Sequence, residues 1–189
     1  MLDFENKPFN VFCDFNANNA KTWTLIQSYQ QKKKYLFWRQ FSLDYPLNEN
    51  NPSWSEYRLS KDRMKSIERD SIKWRFTCCY NADGVIYTDY AQGKKVEINI
   101  LDFNGGGRCV KMEYINVLGR ACRNCTANWI QDTSVPFHFN PESFQATKCD
   151  FNPTGPLECH EDYFGDYDCQ NSQHRCSSSD VATTQTWFG

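Results

Sequence analysis

Three features of this 189-residue sequence predict an α+β fold with a central antiparallel sheet, short helices and a loop-rich, disulfide-bonded carboxy-terminal part. Apolar and polar residues alternate over short segments, the pattern of half-buried strands. Ten cysteines are spread along the chain. From Cys122 onward the alternation fades into Cys, Asn, Pro and Gly, so that segment is expected to be held by crosslinks, each contributing about 2–4 kcal/mol. The length suits a single domain over residues 1–189, with an amino-terminal part (1–50), a central sheet (51–148) and the loop-rich part (149–189).

Two hydrophobic segments, Phe9 to Phe15 and Thr22 to Gln27, read as strands joined by the polar, turn-forming residues 16–21. Lys32, Lys33 and Lys34 read as a solvated run, and the prolines at 46 and 52 mark a surface loop over 43–52. Residues 54–59 lead into a short helix capped by Ser60, with Met64 and Ile67 on its buried side; Ser53 and Glu56 offer a competing capping box. Ile72, Trp74, Phe76, Cys78 and Tyr80 alternate with Lys73, Arg75, Thr77 and Cys79. That alternation predicts one core face and one wet face, and sends Cys78 and Cys79 to different partners. Asn81-Ala82-Asp83-Gly84 reads as a hairpin turn returning through Val85-Ile86-Tyr87. Val96, Ile98 and Ile100 predict another strand, residues 104–107 a turn, and Val110, Met112 and Tyr114 the strand after it.

Cys13, Cys78, Cys79, Cys109, Cys122, Cys125, Cys149, Cys159, Cys169 and Cys176 form an even, dense set, read as a disulfide framework made in an oxidising compartment. Cys122 and Cys125 have zinc-ligand spacing, but a zinc ribbon needs a second such pair, and the sequence has none. Residues 1–5 lack the basic start and apolar core of an export signal, so the sequence is expected to be part of a longer secreted protein or to begin at an introduced methionine. A net charge of −2 gives no reason to expect nucleic acid, and no apolar run approaches the roughly 20 residues of a membrane-inserted helix. Asn124-Cys125-Thr126 is a glycosylation sequon at Asn124.

The acidic run holding Glu161, Asp162, Asp166 and Asp168 around Gly165 is the candidate metal site, with calcium as the candidate cofactor. Its spacing is not that of an EF-hand. Tyr163, Tyr167, His174, Arg175 and Trp187 surround these acids in sequence and are the candidate ligand contacts, since sugar rings pack on aromatic faces while their hydroxyls meet polar groups. Catalysis is not expected. Ser177 to Asp180 follow His174 without a nucleophile turn, and Gly105 to Gly107 do not open a helix as a phosphate loop does.

Phe9-Asn10-Val11-Phe12-Cys13-Asp14-Phe15, followed by Thr22-Trp23-Thr24-Leu25-Ile26-Gln27, resembles the opening of fibrinogen-like domains. There a valine-tyrosine-cysteine-aspartate strand precedes a tryptophan-threonine-valine-isoleucine-glutamine strand. Residues 54–67 and 72–87 look similar to the family's next strands and helix, so the resemblance implies a fibrinogen-C-terminal-like fold. It also implies an extracellular, non-catalytic recognition module, lectin-like for glycans or acetylated groups; the alternative is a protein-binding or structural matrix module. Asp166-Tyr167-Asp168-Cys169, with Cys176 and residues 186–189, is similar to the family's calcium loop and aromatic stretch. Asn124-Cys125-Thr126-Ala127 competes for that alignment but has no paired aspartates upstream. Family domains carry a cysteine upstream that pairs with the one at Cys13; the sequence lacks it, so Cys13 takes another partner or stays unpaired.

Overall fold

The computed structural model describes residues 1–3, 5, 7–15, 22–153 and 162–189. Its strands are β1 (Cys13–Asp14), β2 (Trp23–Gln30), β3 (Glu56–Arg58), β4 (Lys73–Cys78), β5 (Tyr90–Lys94), β6 (Gly105–Val117), β7 (Arg120–Arg123), β8 (Thr126–Gln131), β9 (His138–Phe139) and β10 (Thr183–Phe188). Helices α1 (Lys61–Arg69) and α2 (Tyr80–Asp83) and two short 3-10 turns, Gln31–Leu36 and Ala146–Lys148, complete the described structure. The strands form one sheet in the order β1-β2-β10-β4-β5-β6-β8-β9, with β3 beside β2 and β7 beside β6, every pairing antiparallel. The fold is therefore mixed α+β, with a large antiparallel sheet, short helices and several disulfides. Among the described residues no helix is long and apolar enough to cross a membrane.

Strand β10 lies between β2 and β4, and all six of its residues are buried. Its Thr-Thr-Gln-Thr start carries no hydrophobic signal, yet Thr183, Thr184 and Gln185 meet specific partners instead of water. Thr183 Oγ1 donates to Asn81 Oδ1 (2.6 Å), and the Thr184 and Tyr167 hydroxyls meet at 3.0 Å. Gln185 Oε1 accepts from Thr77 Oγ1 (3.0 Å) and the Tyr80 amide (3.2 Å). Buried polar groups satisfied in this way specify register as well as hold it.

The expected wet face of β4 is also covered, which overturns that expectation. Arg75 and Thr77 are as buried as Trp74, Phe76 and Cys78. Arg75 Nη2 donates to Asp14 Oδ2 at 2.7 Å, with both side chains at most 2% exposed. The guanidinium lies 4.5 Å from the Trp23 ring and 4.8 Å from the Trp187 ring. On the opposite face Trp74, Phe76, Trp129, Phe137 and Phe164 pack ring on ring. A period-two pattern reports polarity, so it cannot see that a charged residue has a buried partner distant in sequence.

Other expectations change as well. Residues 81–83 belong to the single turn α2, which Gly84 ends, rather than to a hairpin, and pairing resumes only at Tyr90. Residues 96–100 form turns: Ile98 and Ile100 are buried while Val96 is exposed, which mimics a strand without the ladder. Gly105 to Gly107 sit inside β6 at a bulge opposite β8, where a Cβ on Gly107 would come 3.2 Å from Asn128 Oδ1. Order continues past Cys122 in β7, β8, β9 and β10. Helix α1 begins after Ser60 and buries Met64 and Ile67, as the spacing predicts.

Cys78 bonds to Cys176, Cys109 to Cys149 and Cys122 to Cys125. Cys169 is also disulfide-bonded, and Cys159 lies outside the described residues. Cys13 and Cys79 are thiols, so these two of the ten cysteines read as a disulfide framework stand outside it. Adjacent residues leave a strand in different directions, and only Cys78 meets Cys176. Cys79 turns the chain at φ 53° and donates its thiol to the Arg175 carbonyl at 3.3 Å. Asn124 is exposed in the turn between β7 and β8, beside the bonded Cys125.

Removing Asp14 leaves a buried guanidinium without its carboxylate. Asp14→Ala is expected to lower the unfolding free energy by about 3–5 kcal/mol in urea titrations; a loss under about 1 kcal/mol contradicts the burial of this pair. Maleimide labelling of the denatured, unreduced protein followed by peptide mapping is expected to modify Cys13 and Cys79 and to spare the six bridged residues of the three named disulfides.

Candidate functional site

Strand β9 pairs with β8 on one side. On the other, Phe139 and Tyr163 exchange two backbone hydrogen bonds of 2.9 Å, which lays residues 162–166 against it. Gly165 permits the close approach: a Cβ there would stand 2.3 Å from the Phe137 carbonyl oxygen. Phe164 turns the segment at φ 67° and inserts its ring into the core.

This packing brings His138, Asp162 and Asp166 together, with one ligand atom from each within 4.8 Å of the others. His138 is buried and donates from Nδ1 to the Pro136 carbonyl (2.8 Å), which leaves Nε2 facing Asp162 Oδ2 at 3.2 Å. The same oxygen accepts from Asn140 Nδ2 at 3.0 Å. Burial alone would lower the His138 pKa, but the hydrogen bond and charge of Asp162 outweigh it and raise it. Burial raises the Asp166 pKa, with the neighbouring charges of Asp162 and Asp168 adding to it.

These three side chains can hold a metal ion. Two of the four acids expected at a metal, Asp162 and Asp166, are in the group. Asp168 is exposed and outside it, and Glu161 lies outside the described residues. The sequence reading missed His138; its one signal is a histidine between two phenylalanines, where alternation assigns it to a wet face. A second group, Cys78, His174 and Cys176, also has metal-ligand proximity, but its two sulfurs are joined as a disulfide.

The aromatic residues expected to contact ligand are core residues. Tyr163 and Tyr167 are 2% exposed, and His174 and Trp187 are 0%. Trp187 Nε1 donates to Thr77 Oγ1 at 2.9 Å, and Tyr163 packs edge-on against His174. Their rings stabilise the loops and offer no face to a sugar. Arg175 is half-buried and ties its loop to α2 and to the segment before β5, its Nη2 donating to Asp83 Oδ2 (2.6 Å) and its amide to Asp89 Oδ2 (2.9 Å). Asp89 also accepts from the Leu118 amide (2.7 Å) and lies 3.9 Å from His174 Nε2; His174 Nδ1 meets Ser177 Oγ at 3.0 Å. This Asp–His–Ser row has no solvent-exposed member.

An open site occurs where the β2–β10 pairing runs on past the strand ends. The Gln31 amide donates to the Ala182 carbonyl (2.9 Å) and the Lys32 amide to that of Asp180 (3.1 Å). Gln31 Nε2 reaches across to the Cys169 carbonyl at 3.1 Å, and Lys34 Nζ donates to the carbonyls of Tyr167 and Asp168. Between these segments lies a cleft of about 300 Å³ lined by Gln31, Lys32, Lys34, Tyr35, Gln170 and Asp180, with Cys169 at its wall. Tyr35 is 63% exposed and Trp38 40% exposed, their rings 5.8 Å apart. Buried Arg58 fixes the chain just beyond them by donating to the carbonyls of Arg39, Gln40 and Leu43.

Burial lowers the His174 pKa to about 4; Asp89 opposes this shift and Arg175 adds to it. An unfolded histidine takes its proton near pH 6.5, so between roughly pH 6.5 and 4 the unfolded chain holds the extra proton. Stability is therefore expected to fall as pH drops through that window, and His174→Gln to flatten the fall in urea midpoints measured at successive pH values. An unchanged slope would contradict the assignment. No family model matches this chain, and neither a curated protein nor a solved structure matches it.

Proposed function

We infer that this protein is an extracellular, non-catalytic recognition domain that binds a glycan in the cleft beside Tyr35. The carrying observation is an exposed aromatic pair, Tyr35 and Trp38, next to a recess with a carboxylate at Asp180 and an amide at Gln170. An aromatic face takes the apolar side of a sugar ring, and carboxylates and amides take its hydroxyls. A cleft of about 300 Å³ suits roughly one sugar residue. Gln170 and Asp180 keep the ligand contacts in the carboxy-terminal third, while the aromatic platform comes from residues 35–38.

Three disulfides support an oxidising compartment. The antiparallel pair of β1 and β2, and the short helix after β3, support a fibrinogen-like fold. The cation dependence expected of such a module enters through residues 162–170. Asp162 and Asp166 can meet a metal at one end of this segment, and Cys169 and Gln170 line the cleft at the other. A cation at the first end steadies the second.

Glycan-array binding, run with calcium, with zinc and with chelator, tests this reading. The parent is expected to retain a glycan, and Tyr35→Ala, Trp38→Ala and Asp180→Asn are each expected to weaken it at least about tenfold; Tyr35→Ala is expected to do so without lowering thermal stability, because its ring is 63% exposed. Retention of no glycan, or equal binding by all three variants, contradicts it. Capture of a polypeptide through the same residues would instead favour a protein-binding or matrix module.

A further inference from the structure

The geometry points to a zinc-class site in which His138 Nε2 and the carboxylates of Asp162 and Asp166 hold one divalent transition cation and leave it an open coordination position. Three observations carry it. First, the donor types are wrong for calcium, which takes six to eight oxygens, and right for an ion that accepts imidazole with carboxylates. Second, the His138 Nδ1 hydrogen bond to the Pro136 carbonyl fixes the ring with Nε2 turned to Asp162, the outer hydrogen bond that orients metal-bound histidines. Third, Asp162 Oδ1 is buried without a hydrogen-bond partner among the described residues, although its other oxygen already faces His138 Nε2 and Asn140. An unpaired carboxylate oxygen away from water is costly, and a cation is the partner that such an oxygen best accepts.

The spacing fits. Two donors about 2.1 Å from a common ion at a tetrahedral angle lie about 3.4 Å apart; His138 Nε2 and Asp162 Oδ2 are 3.2 Å apart, and the unpaired Oδ1 of the same carboxylate can complete a bidentate contact. Asp166 is half-buried and needs only a side-chain adjustment to close the set, since all three ligand atoms are within 4.8 Å. Backbone pairing of Phe139 with Tyr163 and the close approach at Gly165 hold the acids in place before an ion arrives. With three protein donors, the remaining position takes water or an oxygen of a bound ligand.

The inference does not depend on the glycan reading, because metal is measured with no sugar present. The experiment is zinc titration of the chelator-treated chain by calorimetry, with cobalt substitution read by visible absorption. One zinc per chain is expected at micromolar affinity or tighter, with calcium unable to displace it at millimolar concentration. Asp166→Asn and His138→Gln are each expected to weaken zinc at least about 100-fold. Asp166→Asn, at a half-buried position, keeps the test open should His138→Gln fail to fold. The thiols of Cys13 and Cys79 are common to every variant, so zinc bound there would survive these substitutions. No zinc binding, zinc binding unchanged in folded Asp166→Asn, or displacement by equimolar calcium would each overturn the assignment.

Discussion

Strand β10 hydrogen-bonds to β2 along one edge and β4 along the other, and much of the described structure depends on that double pairing. Without it the sheet divides into a β1-β2-β3 unit and a unit running from β4 to β9. The strand is polar at its start and aromatic at its end, and both parts serve the same purpose. Trp187 covers Arg75 and binds Thr77, while Gln185 ties the turn after β4 to the sheet. Buried polar groups that find partners help to fix the register of such non-local pairing.

From β10 the constraint passes outward to both candidate sites. The Thr184 hydroxyl meets Tyr167, and the Tyr29 hydroxyl of β2 reaches the Gly165 carbonyl at 3.4 Å. These contacts set residues 163–168 between the sheet and β9. The Cys78–Cys176 bond and the Asp89 carboxylate then hold residues 174–177, so the chain returns through Asp180 to the start of β10. The cleft is thus the gap left where the β2 and β10 backbones stop pairing and separate. Asp162 and Asp166 of the metal group and Cys169 and Gln170 of the cleft lie on one continuous segment fixed at several points, which is how a change at one can reach the other.

Much of the sheet was legible in the sequence because its strands are hydrophobic by alternation. Cys13 with Trp23, the Trp74–Phe76–Cys78 face, the helix after Ser60 and the Val110–Met112 strand all stand where their patterns put them. What escaped was polar and buried. Arg75 looks like a surface residue until Asp14, distant in sequence, supplies its partner; Thr183 to Gln185 look like a loop until Asn81, Tyr167 and Thr77 do the same. At the sites the acids were readable as a cluster, but their histidine was not, because its role comes from the isolated bridge between Phe139 and Tyr163. The aromatic neighbours misled for a related reason. Sequence proximity to acids says nothing about which way a ring faces, and Tyr163, Tyr167 and Trp187 face the core.

The central claim is that residues 162–168 are locked to β9 and β10 before any ligand binds. Native-state hydrogen exchange tests it most directly, through the amides of Phe139 and Tyr163, which donate to each other's carbonyls. The account predicts that, in metal-free and sugar-free protein, these two amides exchange with the slow class that contains the β10 amides, and that Asp14→Ala accelerates them together. Fast exchange at Phe139 and Tyr163 while β10 stays protected would contradict it, since the segment would then be ordered only by its ligand.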